Sequence, residues 1–284
     1  MEIHFLGILG YQPYRHKHTS CIMIPEYGIV LDAGTGFHLV REHVRTSHLD
    51  VFLSHLHDDH ICGTLYPLGA LYKKGVRSLS FYGRKGIERF FRKWQFNHPR
   101  FPVDIPGHEK ILDATINFFG VLPKERDPVS RMWQWQVERP GYSYAVGVFR
   151  LPHPSGGSLA YDFLLDGRRI VYVTDTTLDL KQKDVWRFMQ ALQLGQPPDL
   201  LIVECNFANR HEDLARLTGH TFPRILAEFL KEVKPRNAVL THLHFQGDEF
   251  GGDFFQENIF AWREIRQGYT GCVSFAWQET VLIV

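Results

Sequence analysis

The segment His55–His60 carries three imidazoles and two carboxylates within six residues, just after the apolar run Val51–Leu53. An apolar run of this length predicts a buried strand. Because side chains two residues apart on an extended backbone point the same way, the rings of His55 and His57 are expected to face one side together. The last two residues of the segment lie on the turn that follows and can face a second ion. Imidazole nitrogen and carboxylate oxygen are ligands of zinc and similar divalent ions, so the sequence predicts a strand that ends in a metal site.

Length and charge favour one globular domain over residues 1–284. The chain is 44% hydrophobic and 22% charged, and it is long enough to bury a large core. Its formal net charge of +1 gives no general attraction to nucleic acid or to an anionic membrane. The apolar runs are shorter than the ~20 residues of a membrane helix, and no basic segment with a following apolar region marks a signal peptide. We expect a soluble, cytoplasmic protein with no membrane partner, and we leave a homodimer open.

Cysteine usage agrees with a reducing compartment. Cys21, Cys62, Cys205 and Cys272 lie far apart in the sequence and form no C-x-x-C pair. Reduced thiols are therefore expected. Cys62 follows the histidine-rich segment by two residues and is a candidate thiol near the site, although a full ligand set exists without it.

Strand and helix patterns alternate in each half of the chain. The first half reads as strands at 3–6, 20–24, 28–31, 49–54 and 78–82, with helices at 37–45, 65–74 and 86–94. The second half reads as strands at 142–151, 159–165, 170–174, 200–204 and 238–241, helices at 223–231 and 254–266, and β structure at 272–284. Two such halves imply an αββα sandwich, an α/β fold of two facing mixed sheets with helices outside. Residues 95–140 are the least regular part and are interpreted as a hairpin layer of the sheet or, alternatively, as a flap over the substrate.

Five motifs in order resemble those of the metallo-β-lactamase superfamily. Besides the segment at 55–60, they are Ile29–Gly36, Leu151–Pro154, Val171–Thr176 and Val239–His242. The resemblance covers nearly the whole chain and implies the αββα fold. It also implies a ligand set for two divalent metal ions, with zinc expected and manganese or iron as alternatives. The implied ligands are His55, His57 and His153 for the first ion, Asp59, His60 and His242 for the second, and Asp175 as a bridge.

Further residues gain roles from the same resemblance. Asp32 is expected to accept a hydrogen bond from a ligand imidazole, and a hydroxide bridging the two ions is the implied nucleophile. Class B1 β-lactamases carry Cys where this chain has Asp175, so that branch is disfavoured. Gly219–Thr221 instead resembles the G-H-S/T element of ribonuclease Z and related phosphodiesterases.

In those relatives the histidine of that element aids departure of the leaving group, and a nearby glutamate orients it. His220 and Glu204 occupy those places, and together with Asp59 they are the candidate catalytic residues. The alternative for His220 is a residue at a helix start, beside Thr221 as the N-cap. In the N-terminal loop, where the family's Gly-rich pattern is altered, His16 and His18 are candidates for substrate contact.

The leading functional prediction is a phosphodiesterase that acts on small cyclic or nucleotide-like phosphodiesters. Ribonuclease Z has a long arm between its third and fourth motifs, whereas only 21 residues separate His153 and Asp175 here. A hairpin already uses those residues, which makes extended nucleic acid the less favoured substrate. The alternatives are a tRNA 3′-processing endonuclease similar to ribonuclease Z, a hydrolase of another ester, thioester or lactone, and a non-catalytic scaffold.

Overall fold

The computed structural model describes residues 1–65, 68–97, 109–110, 114–121, 133–243 and 254–284. The chain divides into two compact units, the first formed by Met1–Leu122 with Trp277–Val284 and the second by Pro123–Ala276. The single domain expected over residues 1–284 stays a prediction. Every helix among the described residues is too short or too polar to span a bilayer.

A mixed sheet forms the centre of the first unit. Numbered along the chain, its strands are β1 (Glu2–Gly7), β2 (Cys21–Ile24), β3 (Ile29–Leu31), β4 (His48–Phe52), β5 (Ser78–Gly83), β6 (Thr115–Gly120) and β14 (Thr280–Ile283). They lie in the order β14-β1-β2-β3-β4-β5-β6. The strands from β3 to β6 run parallel, so the carboxyl ends of β3 and β4 meet at one edge. Every residue of β4 is buried, as its apolar pattern predicts.

Short helices accompany this sheet. They are α1 (Val40–His43), α2 (Asp58–Ile61), α3 (Leu68–Lys73) and α4 (Ile87–Phe90), with a π-helical turn at Phe91–Gln95 and 3₁₀ turns at Pro25–Tyr27, Thr35–Leu39 and Cys62–Leu65. The helix expected over 37–45 is therefore wrong in length, since only one α-helical turn follows the 3₁₀ turn. Val44 has extended backbone angles and ends it, in keeping with the weak helix propensity of β-branched residues.

The second unit contains a sheet with the reverse arrangement of strands. Its members are β7 (Trp133–Arg139), β8 (Tyr142–Leu151), β9 (Ser158–Leu165), β10 (Arg168–Val173), β11 (Leu200–Glu204), β12 (Asn237–Thr241) and β13 (Val273–Phe275). They lie in the order β13-β12-β11-β10-β9-β8-β7. The strands from β10 to β13 are parallel, and those from β7 to β10 are antiparallel. Since β8 points the same way as β10, the residues that follow β8, β10, β11 and β12 share one edge.

The predicted β9–β10 hairpin is confirmed. Leu165 pairs with Arg168 across a two-residue turn, and both turn residues, Asp166 and Gly167, have positive φ angles. This conformation matches the right-handed twist of the flanking strands.

The helices of the second unit are α5 (Lys183–Gln193), α6 (Glu212–Thr218), α7 (Pro223–Val233) and α8 (Phe254–Gly268), with 3₁₀ turns at Pro154–Gly156 and Asn209–His211. Neither α5 nor α6 was expected from the sequence. The described strands within 95–140 do not form the hairpin layer expected there, because β6 and β7 belong to different sheets; the alternative of a flap over the substrate falls mostly outside the described residues. Most of the residues between these two strands lie outside the described part of the chain.

Candidate metal centre

The histidine-rich segment forms one cluster at the end of β4 in the first unit. His57 has extended backbone angles, and α2 begins at Asp58. The ring of His55 lies 4.4 Å from that of His57 and 4.3 Å from that of His60, measured between centroids. Asp59 Oδ2 is 3.3 Å from His60 Nε2. The four residues of this segment predicted to bind metal are therefore neighbours within the first unit.

Asp32 holds this cluster from the carboxyl end of β3. Its fully buried side chain accepts hydrogen bonds from the Ser54 backbone N–H at 2.7 Å, from Ser54 Oγ at 2.8 Å and from His60 Nδ1 at 2.7 Å. The bond to Nδ1 fixes the ring of His60 and leaves Nε2 as the atom for a ligand bond. The contact expected of Asp32 is thus present, on His60.

Ser54 is a residue of the site that the sequence reasoning missed. Its hydroxyl lies 3.0 Å from His55 Nδ1 in addition to its bond to Asp32. It therefore connects the buried carboxylate to two imidazoles of the cluster. The available signal was a small polar residue placed between a buried strand and the first histidine.

In the second unit, Asp175 faces two predicted ligands with different oxygens. Its Oδ1 lies 3.2 Å from His242 Nε2, and its Oδ2 lies 3.8 Å from His153 Nε2. Two ligands on one tetrahedral zinc ion, at the usual bond lengths, lie about 3.4 Å apart. The observed spacings on both sides of the carboxylate therefore suit an ion on each side, as a bridging role requires.

The Gly219 turn and burial both act on the ring of His153. Its Nδ1 donates to the Gly219 carbonyl at 3.2 Å. Burial lowers the pKa of His153, and the nearby carboxylates of Asp175 and Glu204 only partly oppose this shift. Gly219 has a positive φ of 77°, and a Cβ at this position would lie 2.3 Å from Pro154 Cδ. The close approach of this turn to His153 thus depends on glycine.

Glu204, at the end of β11, joins the Asp175 loop to His220. Its Oε1 accepts the backbone N–H of Thr176 at 2.7 Å, and its Oε2 lies 2.8 Å from His220 Nδ1. One ligand atom each of Asp175, His220 and His242 lies within 4.8 Å of the others. His220 is therefore beside two predicted metal ligands, with the fully buried Glu204 carboxylate fixing its ring.

Thr221 is not the N-cap of a helix. The alternative interpretation of His220, a residue at a helix start beside a Thr221 N-cap, is therefore wrong. The cap position of α7 is Phe222, and Pro223 opens the helix. Thr221 Oγ1 donates instead to the Thr176 carbonyl at 2.6 Å and accepts the Leu178 backbone N–H at 3.0 Å. It fixes the chain next to His220 against the Asp175 loop.

Asn206 also escaped the sequence reasoning. Its side-chain amide lies 3.1 Å from His242 Nδ1, and Glu204 Oε2 lies 3.8 Å from the same nitrogen. Both contacts engage the side of the ring remote from Asp175. The direction differs from that at His60, because Asn206 Nδ2 donates towards His242 Nδ1 whereas Asp32 accepts from His60 Nδ1.

Three residues at the ends of site strands have left-handed backbone conformations. The φ angles are 57° for Asp32, 49° for Asp175 and 53° for His242. Residues other than glycine are uncommon in this region, and such positions concentrate at functional sites. The chain turns sharply at these points and places the side chains at the strand ends.

Other candidates do not join these clusters. Among the described residues, no group of potential ligands includes Cys62, His16 or His18. Cys62 is half-buried, and burial raises the pKa of its thiol. His18 packs edge-on against His38, with ring centroids 4.6 Å apart.

A family model and a curated relative both match most of this chain. The model of a family described as the beta-lactamase superfamily domain matches residues 27–243. A ribonuclease Z of Brevibacillus brevis is 27% identical over 270 residues, which cover 80% of this chain and 78% of the relative.

Solved structures show the same fold. Unliganded yeast PDE1 matches with a TM-score of 0.71 at 16% identity, covering 100% of this chain and 99% of its own. The short form of human tRNase Z matches with a TM-score of 0.67 at 21% identity, again covering 100% and 99%. These likenesses confirm the predicted fold class, an α/β sandwich built on two mixed sheets.

Proposed function

The chain belongs to the beta-lactamase superfamily, and from that membership we propose that it is a two-metal phosphodiesterase acting on small cyclic or nucleotide-like phosphodiesters. Its relatives include ribonuclease Z and its structural neighbours include a diphosphatase of the PhnP family, and this chain is a metal-dependent hydrolase. Its choice of phosphodiester and the two-metal site are our proposals.

The proposed ligands act as one dinuclear centre. His55, His57 and His153 hold one ion, Asp59, His60 and His242 hold the other, and Asp175 bridges them. Three features support this assignment: the donor types suit zinc, the buried Asp32 carboxylate accepts a hydrogen bond from His60 Nδ1, and Asp175 presents one oxygen to each of two imidazoles. Zinc is the proposed metal, although imidazole and carboxylate ligands also accept manganese and iron.

The observation that best supports phosphodiester hydrolysis is the 2.8 Å contact between His220 Nδ1 and Glu204 Oε2. Two divalent ions, when bound, polarise a phosphoryl oxygen and supply a nucleophile from water at neutral pH. An expelled alkoxide still needs a proton, because it is a poor leaving group. His220, fixed beside Asp175 and His242, is the proposed donor of that proton, and Glu204 is the residue that positions it. A thioester would not need this donor, since thiolate leaves readily.

Metal content tests the dinuclear centre. Protein purified without chelator should contain close to two equivalents of divalent metal, with zinc predominant. The Asp175→Asn variant should lose at least one equivalent, because an amide is a poor bridging ligand. Elemental analysis of both proteins measures this. Retention of two equivalents in Asp175→Asn would contradict the bridging role, and a wild-type protein without affinity for divalent ions would end the proposal.

Replacement of the proposed proton donor tests the reaction. His220→Ala should keep its metal and lose roughly 10²- to 10⁴-fold in rate on a nucleoside alkyl phosphodiester. The loss should be much smaller on the matching 4-nitrophenyl ester, because nitrophenolate leaves without help. Steady-state rates on both esters measure the difference, and His211→Ala is the matched control in the same unit. Equal losses on the two esters would exclude a donor role for His220.

A ribonuclease Z-like activity on tRNA is the second candidate. The specific observation in its favour is the match to the Brevibacillus brevis ribonuclease Z over most of both chains. Relative rates on a 3′-extended tRNA precursor and on nucleoside cyclic phosphates separate it from the first candidate.

We also propose a cytoplasmic location. All four cysteines are free, and burial raises the pKa of Cys21 and of Cys205 well above its usual value. Free thiols of this kind are typical of reducing compartments.

A further inference from the structure

Tyr11 stands beside the predicted metal ligand Asp59 and presents its side chain to solvent. It lies between β1 and β2 in the first unit, and its backbone N–H donates to Asp59 Oδ2 at 2.8 Å. The residue is 75% exposed. A large aromatic side chain is therefore fixed through its backbone to the predicted metal site and contributes little to the core.

The backbone of Tyr11 is strained and held in place. Its φ angle is 66°, which is uncommon for a bulky residue. The loop around it is closed by bonds from the Ile8 and Leu9 backbone N–H groups to the His18 carbonyl, both at 2.9 Å. Because the backbone is already ordered, a ligand that packs on the ring costs only the rotamer freedom of the side chain. Strain of this kind at an exposed aromatic residue is typical of a ligand contact.

The segment that contains this loop is rich in basic residues. Residues 3–25 contain no Asp or Glu, whereas they include Arg15, Lys17 and three histidines. Arg15 is exposed, and its guanidinium carbon lies 5.1 Å from the centre of the Tyr14 ring. Aromatic rings combined with basic side chains bind nucleotides by stacking and charge, largely without regard to the identity of the base.

We propose that Tyr11 stacks on the nucleobase of the substrate while Arg15 and Lys17 attract its negative charge. This inference rests on the proposed phosphodiesterase function and narrows it. The substrate is then a nucleotide-like phosphodiester, such as a nucleoside cyclic phosphate, and not a simple sugar or alkyl phosphodiester.

A pair of substrates that differ only in the base tests the inference. Adenosine 2′,3′-cyclic phosphate and ribose 2,3-cyclic phosphate share the scissile bond. The Tyr11→Gly variant removes the ring, yet glycine readily adopts the positive φ and keeps the N–H that bonds Asp59. The ratio of kcat/KM for the nucleotide to that for the sugar should fall roughly 5- to 150-fold, the range expected for one base–aromatic stack. Tyr11→Trp should retain the ratio, and Trp186→Ala, at an exposed aromatic residue of α5, is the matched control.

The outcomes separate this inference from the proposed function. An unchanged ratio in Tyr11→Gly would overturn the role of Tyr11, even where both rates fall together. If wild-type protein cleaves neither substrate, the phosphodiesterase proposal fails, and calorimetric binding of adenosine monophosphate and ribose 5-phosphate to the metal-loaded protein decides on Tyr11. Weaker binding of only the nucleotide by Tyr11→Gly supports the stacking role, and equal binding by variant and wild type overturns it.

Discussion

At the scale of single residues, Asp32 combines burial, a left-handed backbone and three accepted hydrogen bonds. In Asp32→Asn an NH2 group replaces one carboxylate oxygen, so either the Ser54 backbone N–H, now bonded to Oδ1, or His60 Nδ1, now bonded to Oδ2, loses its acceptor. Loss of such a partner typically lowers metal affinity about 10- to 100-fold. Competition with a coloured chelator measures the affinity, and Asp58→Asn, which changes an exposed carboxylate in the same region, is the control. Equal affinities for the two variants would show that Asp32 does not support the metal.

Some residues of the site could be predicted from the sequence, and others could not. The segment 55–60 was visible because its spacing is local and strand geometry fixes the direction of its first two side chains. Ser54 and Asn206 were missed because their contacts depend on side chains 22 and 36 residues away. No pattern within a single stretch of chain encodes such contacts. The assignment of the seven metal ligands stays a prediction until metal is measured.

At the scale of secondary-structure elements, an ion pair whose side chains are only 11–12% exposed links β9 to β10 and α5. Arg169 contacts both oxygens of Asp162, at 2.7 to 3.1 Å, and donates to the Leu192 carbonyl at 2.9 Å. Burial raises the pKa of Asp162, although Arg169 opposes the shift. Asp162→Ala leaves Arg169 without this carboxylate and should lower the free energy of unfolding by about 3–5 kcal/mol.

Chemical denaturation of single and double variants tests this prediction. Asp162→Leu/Arg169→Leu removes both charges, and it should recover much of the stability that the single variant loses, since paired burial is itself expensive. A double variant as unstable as Asp162→Ala would show that packing or the Leu192 contact dominates, and not the charge pair.

Strands were easier to predict than helices in this chain. The strands that carry the site are short, apolar and buried on both faces, so they appear as uninterrupted apolar runs. Helix α5 was missed although Val185, Phe188, Met189 and Leu192 are buried at helical spacing. Charged residues lie between these buried residues, so a search for uninterrupted apolar runs does not detect the apolar face of the helix. The short first helix was overestimated because periodicity does not show where backbone angles change.

At the scale of the whole molecule, the room between the third and fourth motifs limits the size of the substrate. The 21 residues between His153 and Asp175 hold a 3₁₀ turn and the β9–β10 hairpin. Within the described segment 133–243 they leave no arm for gripping a large RNA. We therefore expect faster cleavage of nucleoside cyclic phosphates than of a 3′-extended tRNA precursor, with weak dependence on salt because few phosphates are neutralised.

Direct competition between the two substrates measures this preference. Cleavage of the tRNA precursor at the higher kcat/KM, with a steep loss of rate as salt increases, would favour the ribonuclease Z-like activity instead.

The fold itself was predictable at this scale because the five motifs occur in order across nearly the whole chain. The substrate was not, since it depends on loops in which this chain departs from its relatives.

The left-handed backbone at Asp32, Asp175 and His242 has a consequence for how this protein can change. Glycine and asparagine adopt that conformation at least as readily as the present residues do, so these two substitutions should preserve the turns of the backbone while they remove the chemistry of the side chains. Selection for stability alone would therefore not preserve the residues of the site. Conversely, a collection of folded but inactive variants should be enriched in glycine and asparagine at these three positions, a pattern that deep mutational scanning can read without knowledge of the substrate.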